Sequence, residues 1–466
     1  MYRREVTICA PATVTGGAIA VIRLSGPDCI SICSRVFFTV SGIDLNEVEA
    51  NRVHFGQVKD GSEIVDEALV TVFRAPHSYT GEDSVEISLH GSSYIQSKVI
   101  QLLLKYGATV ASPGEFTMRA FMNGKMDLSQ AEAVADLVSS KSKSTHRLAI
   151  NQMRGGFSRE LKVLRNELLN FASLIELELD FGEEDVEFAD RKELLEIVEK
   201  TMLITRRLVS SFSVGNAIKN GVPVVIAGKP NSGKSTLLNR LLNEERAIVS
   251  EIPGTTRDTV EDTIVIDGIE YRFIDTAGLR KTDDIIESIG IRKTHEKIAG
   301  ASVVLFVDEL TDDHDGLNLR IGSIRDLTAE SGQKLIIVIN KCDLGSVSDI
   351  SRLRESLTSI NSESVAFISA RNNQGIDELL EILGRTIETE KLISDEIIIT
   401  NSRHYEALEG ILESLERVES GIINKLPGDL LSTDIRQALH HIGDLTGEIT
   451  TDEILGNIFK NFCIGK

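Results

Sequence analysis

The spacing of hydrophobic and polar positions changes character along the chain. Up to residue 118, short apolar or alternating segments are divided by turn residues. Ala18-Ile19-Ala20-Val21-Ile22-Arg23-Leu24 is an apolar run stopped by Ser25-Gly26-Pro27, and Val85-Glu86-Ile87-Ser88-Leu89-His90 alternates at period two until Gly91. An α+β domain is predicted over 1–118. From 119 to 217 the apolar positions recur at helical spacing, as in Leu161, Leu164, Leu168, Leu169, Leu174 and Leu177. The acidic stretch Gly182-Glu183-Glu184-Asp185 interrupts them and reads as a solvated turn.

Gly221-Val222-Pro223 then opens a third texture, which lasts to residue 385. Val224–Ala227, Val303–Val307 and Leu335–Ile339 are continuous apolar runs separated by helical stretches, as parallel strands covered on both faces require. From 386 to 466 the helical rhythm returns. The pattern predicts an α/β domain at 218–385 inserted into a discontinuous helical domain made of 119–217 and 386–466.

Composition narrows the class. At 466 residues the chain has room for roughly three domains. Its 41% hydrophobic and 26% charged residues exclude wholesale disorder. No stretch approaches the ~20 apolar residues of a membrane span, so no membrane role is expected. A net charge of -21 disfavours tight, sequence-blind binding to nucleic acid, although a local basic patch could still hold RNA. The five cysteines, Cys9, Cys29, Cys33, Cys342 and Cys463, are odd in number and scattered, against a disulfide framework or zinc ribbon. With no signal-peptide pattern at the N-terminus, a reduced cytoplasmic protein is expected.

The chemistry is written most densely in the third texture. Gly228-Lys229-Pro230-Asn231-Ser232-Gly233-Lys234-Ser235 has the phosphate-loop spacing and lies between an apolar strand and the helical run Thr236–Leu242. Its glycines let backbone N–H groups turn in on phosphate, and the helix N-terminus adds favourable partial charge. Lys234 would reach the β and γ phosphates, and the Ser235 hydroxyl would bind Mg²⁺. Asn340-Lys341-Cys342-Asp343 follows another apolar strand, and Asp343 can accept both hydrogen bonds that guanine N1–H and N2–H₂ donate. ATP lacks that donor pair and would leave the carboxylate unmatched. Ser369-Ala370-Arg371 supplies a further loop beside the base. The nucleotide is therefore GTP.

Two more segments fit switch loops, which order on the γ-phosphate and relax after hydrolysis. In Gly254-Thr255-Thr256-Arg257-Asp258, Thr256 is placed to complete the Mg²⁺ shell. In Asp275-Thr276-Ala277-Gly278, Asp275 would hold the ion through water and Gly278 would bond the γ-phosphate through its N–H. The next residue is Leu279, where a water-orienting glutamine stands in Ras-like enzymes, and leucine cannot orient water. Glu287 is a candidate for that task, with a solvated helix glutamate as the alternative.

The chain resembles the MnmE (TrmE) family of tRNA uridine-modifying GTPases over essentially its whole length. Outside the nucleotide motifs the resemblance rests on Pro113-Gly114-Glu115-Phe116-Thr117-Met118-Arg119-Ala120-Phe121, Lys125-Met126-Asp127-Leu128 and the terminal Phe462-Cys463-Ile464-Gly465-Lys466. It implies a homodimer whose N-terminal domains bind 5-formyl- or 5,10-methylene-tetrahydrofolate, with Arg23, Glu86, Lys125 and Lys466 at the folate-binding positions. It also implies a FAD-containing partner, MnmG. With that partner, a carboxymethylaminomethyl or aminomethyl group is added to C5 of the wobble uridine of certain tRNAs, glycine or ammonia supplying the amine. Cys463 lies in the C-terminal motif, where a catalytic role and a structural or indirect one both remain open. The missing glutamine also finds an explanation. In the family K⁺ sits against the phosphates when two GTPase domains meet, held by Asn231 and the loop Ser250-Glu251-Ile252-Pro253-Gly254-Thr255, with Asn231, Ser250, Ile252 and Thr255 as ligands. Glu287 matches the residue that orients water.

Two other readings share part of this pattern. A ribosome-assembly GTPase would carry the same nucleotide motifs, but it should add a basic RNA-binding appendage, whereas this chain is acidic. A mechanical GTPase of membranes should carry a lipid-binding helix or polybasic segment, and neither is evident.

Overall fold

The first sheet is antiparallel except at its edge. It comprises β1 (Ile8–Pro11), β2 (Ile19–Ser25), β3 (Phe37–Thr39), β4 (Val53–Asp60), β5 (Glu63–Phe73), β6 (Ser84–His90) and β7 (Thr109–Val110), in the order β3-β4-β5-β6-β2-β1-β7. Its alternation decides its layers. Ile22, Leu24, Val58, Val70, Val72, Val85 and Ile87 point to one face, where the helices Cys29–Ser34 and Ser93–Lys105 cover them. On the other face the helix Glu115–Met122 covers only the β1 end, through Phe116 packed on Ile8, Ala10 and Ala111. Val53, Phe55 and Leu69 remain exposed on the rest of it.

The structure is a computed structural model that describes residues 5–180, 191–243, 262–274, 298, 300–310, 313–331, 333–360, 364–386, 397–448, 455, 458–460, 462 and 465. Its residues fall into two units, 1–138 with 152–202 and 407–466, and 139–151 with 203–406. The long helices Arg191–Asn220 and Ser402–Ile423 each contribute to both. Helical residues thus flank the inserted α/β region on each side in sequence, as the hydrophobic rhythm predicts.

In the first unit the helix Gly156–Asp180 packs on Gly428–Thr446. Leu161, Leu164, Leu168, Phe171, Ala172 and Ile175 form its buried stripe. Leu169 and Leu174, expected among the periodic residues, are exposed. They stand off the i, i+3, i+4 line and show that leucine content alone does not define a helix face.

The second unit holds the sheet β13-β12-β11-β8-β10-β9, formed by β8 (Val222–Ala227), β9 (Asp262–Ile266), β10 (Ile269–Phe273), β11 (Val303–Glu309), β12 (Lys334–Asn340) and β13 (Ser364–Phe367). All neighbours are parallel except β9 and β10. Central strands are buried on both faces, which is why their sequences are continuous rather than alternating. The β9–β10 hairpin is absent from the sequence reading. Its signal was Asp267-Gly268, both at positive φ (51° and 83°), the backbone that a tight two-residue hairpin turn needs.

Candidate functional site

The phosphate loop hangs between β8 and the helix Lys234–Leu242, as the sequence predicts. Three residues give it shape. Gly228 (φ 144°), Asn231 (φ 63°) and Gly233 (φ 94°) turn the backbone through conformations that favour glycine or asparagine. A Cβ on Gly228 would collide with the carbonyl of Val307, and one on Gly233 with the amide of Asn340. The Lys234 ammonium donates to the carbonyl oxygens of Gly228 (2.9 Å) and Lys229 (2.6 Å) across the loop it closes. Burial lowers its pKa, with Asp308 pulling the other way. The Ser232 hydroxyl is buried with no hydrogen-bond partner among the described residues. A loop of inward-turning amides with a cation on its own carbonyls and an orphaned hydroxyl fits a polyphosphate.

The base-side loops are joined to this one by Asn340. Its Nδ2 donates to the Ser232 carbonyl (2.9 Å) and its Oδ1 accepts from the Ala370 N–H (3.0 Å), all buried. Asp343 accepts from the Ser369 hydroxyl (2.7 Å), leaving carboxylate capacity for a base. Arg240 donates to the carbonyls of Ala370 and Arg371, both at 3.3 Å. Asn340, Asp343, Ser369, Ala370 and Arg371 are therefore brought together with the phosphate loop.

Sequence reasoning missed the acidic pair at the end of β11. The Glu309 carboxylate lies between Lys229 Nζ (2.7 Å) and Lys341 Nζ (2.6 Å). Fully buried Asp308 accepts from Lys229 (3.2 Å) and Arg320 (2.7 Å). The Lys229 hydrogen bond, then that of Lys341, holds Glu309 below the usual carboxylate range. Nothing marked these acids in advance, because they follow a generic buried strand.

In the N-terminal domain the register places Arg23 of β2 directly opposite Glu86 of β6. The guanidinium donates twice to one Glu86 oxygen, at 3.0 and 2.8 Å, and lies over the rings of Tyr79 (5.3 Å) and Phe116 (5.8 Å). It also donates to the Gly465 carbonyl (3.5 Å), so the C-terminal segment of the same chain reaches this pair. Lys125 Nζ donates to the carbonyl of Pro76. Of the four expected folate residues, Arg23 and Glu86 therefore meet, while Lys125 is held against a neighbouring loop and Lys466 lies outside the described residues.

The Pro113–Phe121 motif has an architectural part here. Gly114 (φ 68°) lets the chain turn beneath Phe459 and Phe462, whose Cβ atoms would each lie 3.0 Å from a Cβ on it. Glu115 accepts from the Ser112 N–H (2.8 Å) and from Arg119 (2.9 Å). Arg119 is wholly buried and also donates to Glu82 (3.0 Å). This network fixes the helix that carries Phe116 under Arg23, a role that composition could not announce. Ser250, Glu251, Ile252, Pro253, Gly254, Thr255, Thr256, Asp275, Thr276, Ala277, Gly278, Glu287 and Cys463 lie outside the described residues. Ser235 and Thr236 open the helix after the loop, as expected.

A family model described as the GTP-binding protein TrmE N-terminus matches residues 7–125, and one described as the MnmE helical domain matches 128–463, across the inserted α/β region. Proteins named tRNA modification GTPase MnmE are similar over the full length. The one from Flavobacterium psychrophilum is 52% identical over 462 residues, covering 99% of both chains. That from Christiangramia forsetii is 53% identical over 469 residues, again with 99% of both covered. Among solved structures, Era of Aquifex aeolicus is 25% identical, covering 41% of this chain and 66% of that one at a TM-score of 0.27.

Proposed function

The chain belongs to the MnmE (TrmE) family of tRNA modification GTPases, and from that premise we propose that it hydrolyses GTP in a K⁺-stimulated cycle serving wobble-uridine modification. In this cycle a tetrahydrofolate one-carbon unit and an amine build a carboxymethylaminomethyl or aminomethyl group at C5, together with a FAD-containing partner. The observation that carries the GTPase reading is Asn340, which ties the phosphate loop to the Ser369–Arg371 loop by two buried hydrogen bonds. Phosphate and guanine subsites so joined hold the nucleotide as one piece, with Lys234 and Ser235 toward the phosphates and Mg²⁺.

Asn231 supports the K⁺ reading. Its side chain is exposed in the loop and makes no hydrogen bond among the described residues, leaving its amide oxygen available to a cation. When bound, K⁺ supplies positive charge where the transition state develops negative charge. Leu279 offers no way to orient water, and Glu287 takes that role in this reading.

The one-carbon reading is supported by the Arg23–Glu86 pair. Cationic nitrogen suits the glutamate tail of a folate, and a carboxylate suits the pterin donors. The exposed row Val53, Phe55 and Leu69 supports self-association through this sheet face. Nucleoside mass spectrometry of tRNA from cells lacking the chain tests the whole reading. A C5-aminomethyl-type wobble uridine should disappear and return on re-expression in K⁺-replete cells. An unchanged profile, in cells that make the modification, would refute the reading and favour ribosome assembly.

A further inference from the structure

The helix Gly428–Thr446 carries a mixed cluster of donors that belongs to neither site described above. Leu431, Ile435, Ala438, Ile442 and Leu445 form its buried stripe. His440, His441 and Asp444 stand beside that stripe on a single turn. Asp444 follows His440 by four residues and His441 by three, the two spacings at which helical side chains meet. Both imidazoles therefore converge on one carboxylate. His440 Nδ1 lies 3.1 Å from Asp444 Oδ2, and the donor atoms of the three residues all lie within 4.8 Å of one another.

Packing places one of the rings. The Cε1, Nε2 and Cδ2 atoms of His441 lie against Gly410 of the helix Ser402–Ile423, where a Cβ would come within 3.0 Å of all three. Glycine makes room for that edge of the ring and leaves Nδ1 on the other side. The His440 ring is edge-on to it, with centroids 6.2 Å apart and planes at 84°, so neither ring covers the other. As an ion pair, His440 and Asp444 contribute little to the fold, since their side chains are 57% and 29% exposed. A second imidazole at the same carboxylate is not explained by that pair. Two imidazole nitrogens with one carboxylate oxygen are instead a donor set for a first-row divalent cation, whereas Mg²⁺ and Ca²⁺ favour oxygen throughout.

We propose that His440, His441 and Asp444 form a Zn²⁺ site, with water in the remaining position. Three protein donors and one open position characterise an ion that exchanges ligands, not a closed structural one. Bonds of about 2.0–2.1 Å set tetrahedral ligands about 3.3 Å apart, close to the His440–Asp444 spacing, and side-chain rotation closes the wider separations. Because all three residues stand on one turn, the helix has already brought them together and the ion fixes only rotamers. Glu413 and Arg417 of the neighbouring helix both act on His441, one attracting a cation and the other opposing it. The affinity therefore comes from the ligands themselves.

The test uses the full-length chain, freed of metal by a chelator and of nucleotide, in millimolar Mg²⁺ to saturate magnesium sites. Zinc chloride added in a calorimeter should bind at one ion per chain with micromolar or tighter affinity. His440→Ala, His441→Ala and Asp444→Asn should each weaken that binding by about 10- to 100-fold or more. Unfolding without zinc checks that each variant is folded, and His440→Ala decides alone if the others are not, because its side chain is the most exposed. Co²⁺ in place of zinc should give visible bands of a nitrogen- and oxygen-ligated ion without a sulfur charge-transfer band. No zinc binding by the wild type, equal binding by the folded variants, or a sulfur band that places the ion on cysteine would each overturn the proposal.

Discussion

The phosphate loop and the Arg23 site are built on opposite plans. The first is a contiguous octapeptide whose shape is set by its backbone, with side chains excluded at Gly228 and Gly233 and the Lys234 ammonium folded onto the loop's own carbonyls. The second is a meeting of side chains from distant parts of the sequence. Arg23 and Glu86 are 63 residues apart and meet through strand register, and Gly465 arrives from 442 residues away. A backbone cradle tolerates few substitutions within it. A constellation depends on everything that sets register and packing beneath it, here the Glu82–Arg119–Glu115 network.

The largest effect should come from breaking the cradle. In Gly233→Ala the new Cβ meets the Asn340 amide while the backbone must keep φ at 94°. Left-handed strain of about 1–3 kcal/mol adds to the loss of the Asn340 link. GTP affinity should fall by about a hundredfold or more in a fluorescent-nucleotide titration, and the same strain should lower the unfolding temperature of the α/β region by about 2–4 °C for each kcal/mol. Near-normal affinity would mean that the loop is not a rigid cradle.

The same contrast explains what the sequence disclosed. The strands β8, β11 and β12 were legible because burial on both faces makes them continuously apolar. The phosphate loop was legible as a short run set between a strand and a helix, and the Asn340–Asp343 loop because it follows that run at the distance of a base-binding loop. Arg23 and Glu86 were reached only through a family resemblance, since an arginine and a glutamate on alternating strands carry no signal until register pairs them. Asp308 and Glu309 stayed hidden for the same reason. Their importance lies in partners that other elements supply.

Breaking the constellation should do less, and do it selectively. Arg23→Ala removes the charge-assisted bonds to Glu86 and the cation over Tyr79 and Phe116. On the proposed one-carbon reading, a charged hydrogen bond from Arg23 to the folate contributes about 1.5–3 kcal/mol, so tetrahydrofolate affinity should weaken about 10- to 100-fold. GTP hydrolysis by the same preparation should be unchanged. Calorimetry with 5-formyltetrahydrofolate measures the first quantity and phosphate release the second. Equal losses in both would mean that Arg23 acts on folding rather than on a site.

The smallest effect should come from Glu309→Gln, which introduces side-chain dependence into the cradle itself. Glu309 joins Lys229 of the phosphate loop to Lys341 of the base loop, yet all three side chains are about one-third exposed, at 32%, 31% and 34%. Water therefore screens the pairs, and about 0.2–1 kcal/mol, or up to about fivefold in GTP affinity, is expected. The sign with pH follows from the lowered pKa, set first by Lys229 and then by Lys341. Stability from such a carboxylate is present above its unfolded pKa and is lost as pH falls through the folded one. The difference between wild type and Glu309→Gln should accordingly stay constant between about pH 6 and 9 and shrink only in acid. A difference that grew with pH across that neutral range would point to a group other than Glu309. A loss as large as that of Gly233→Ala would erase the distinction between the two plans, because a side chain would then be holding the loop that its backbone is argued to hold.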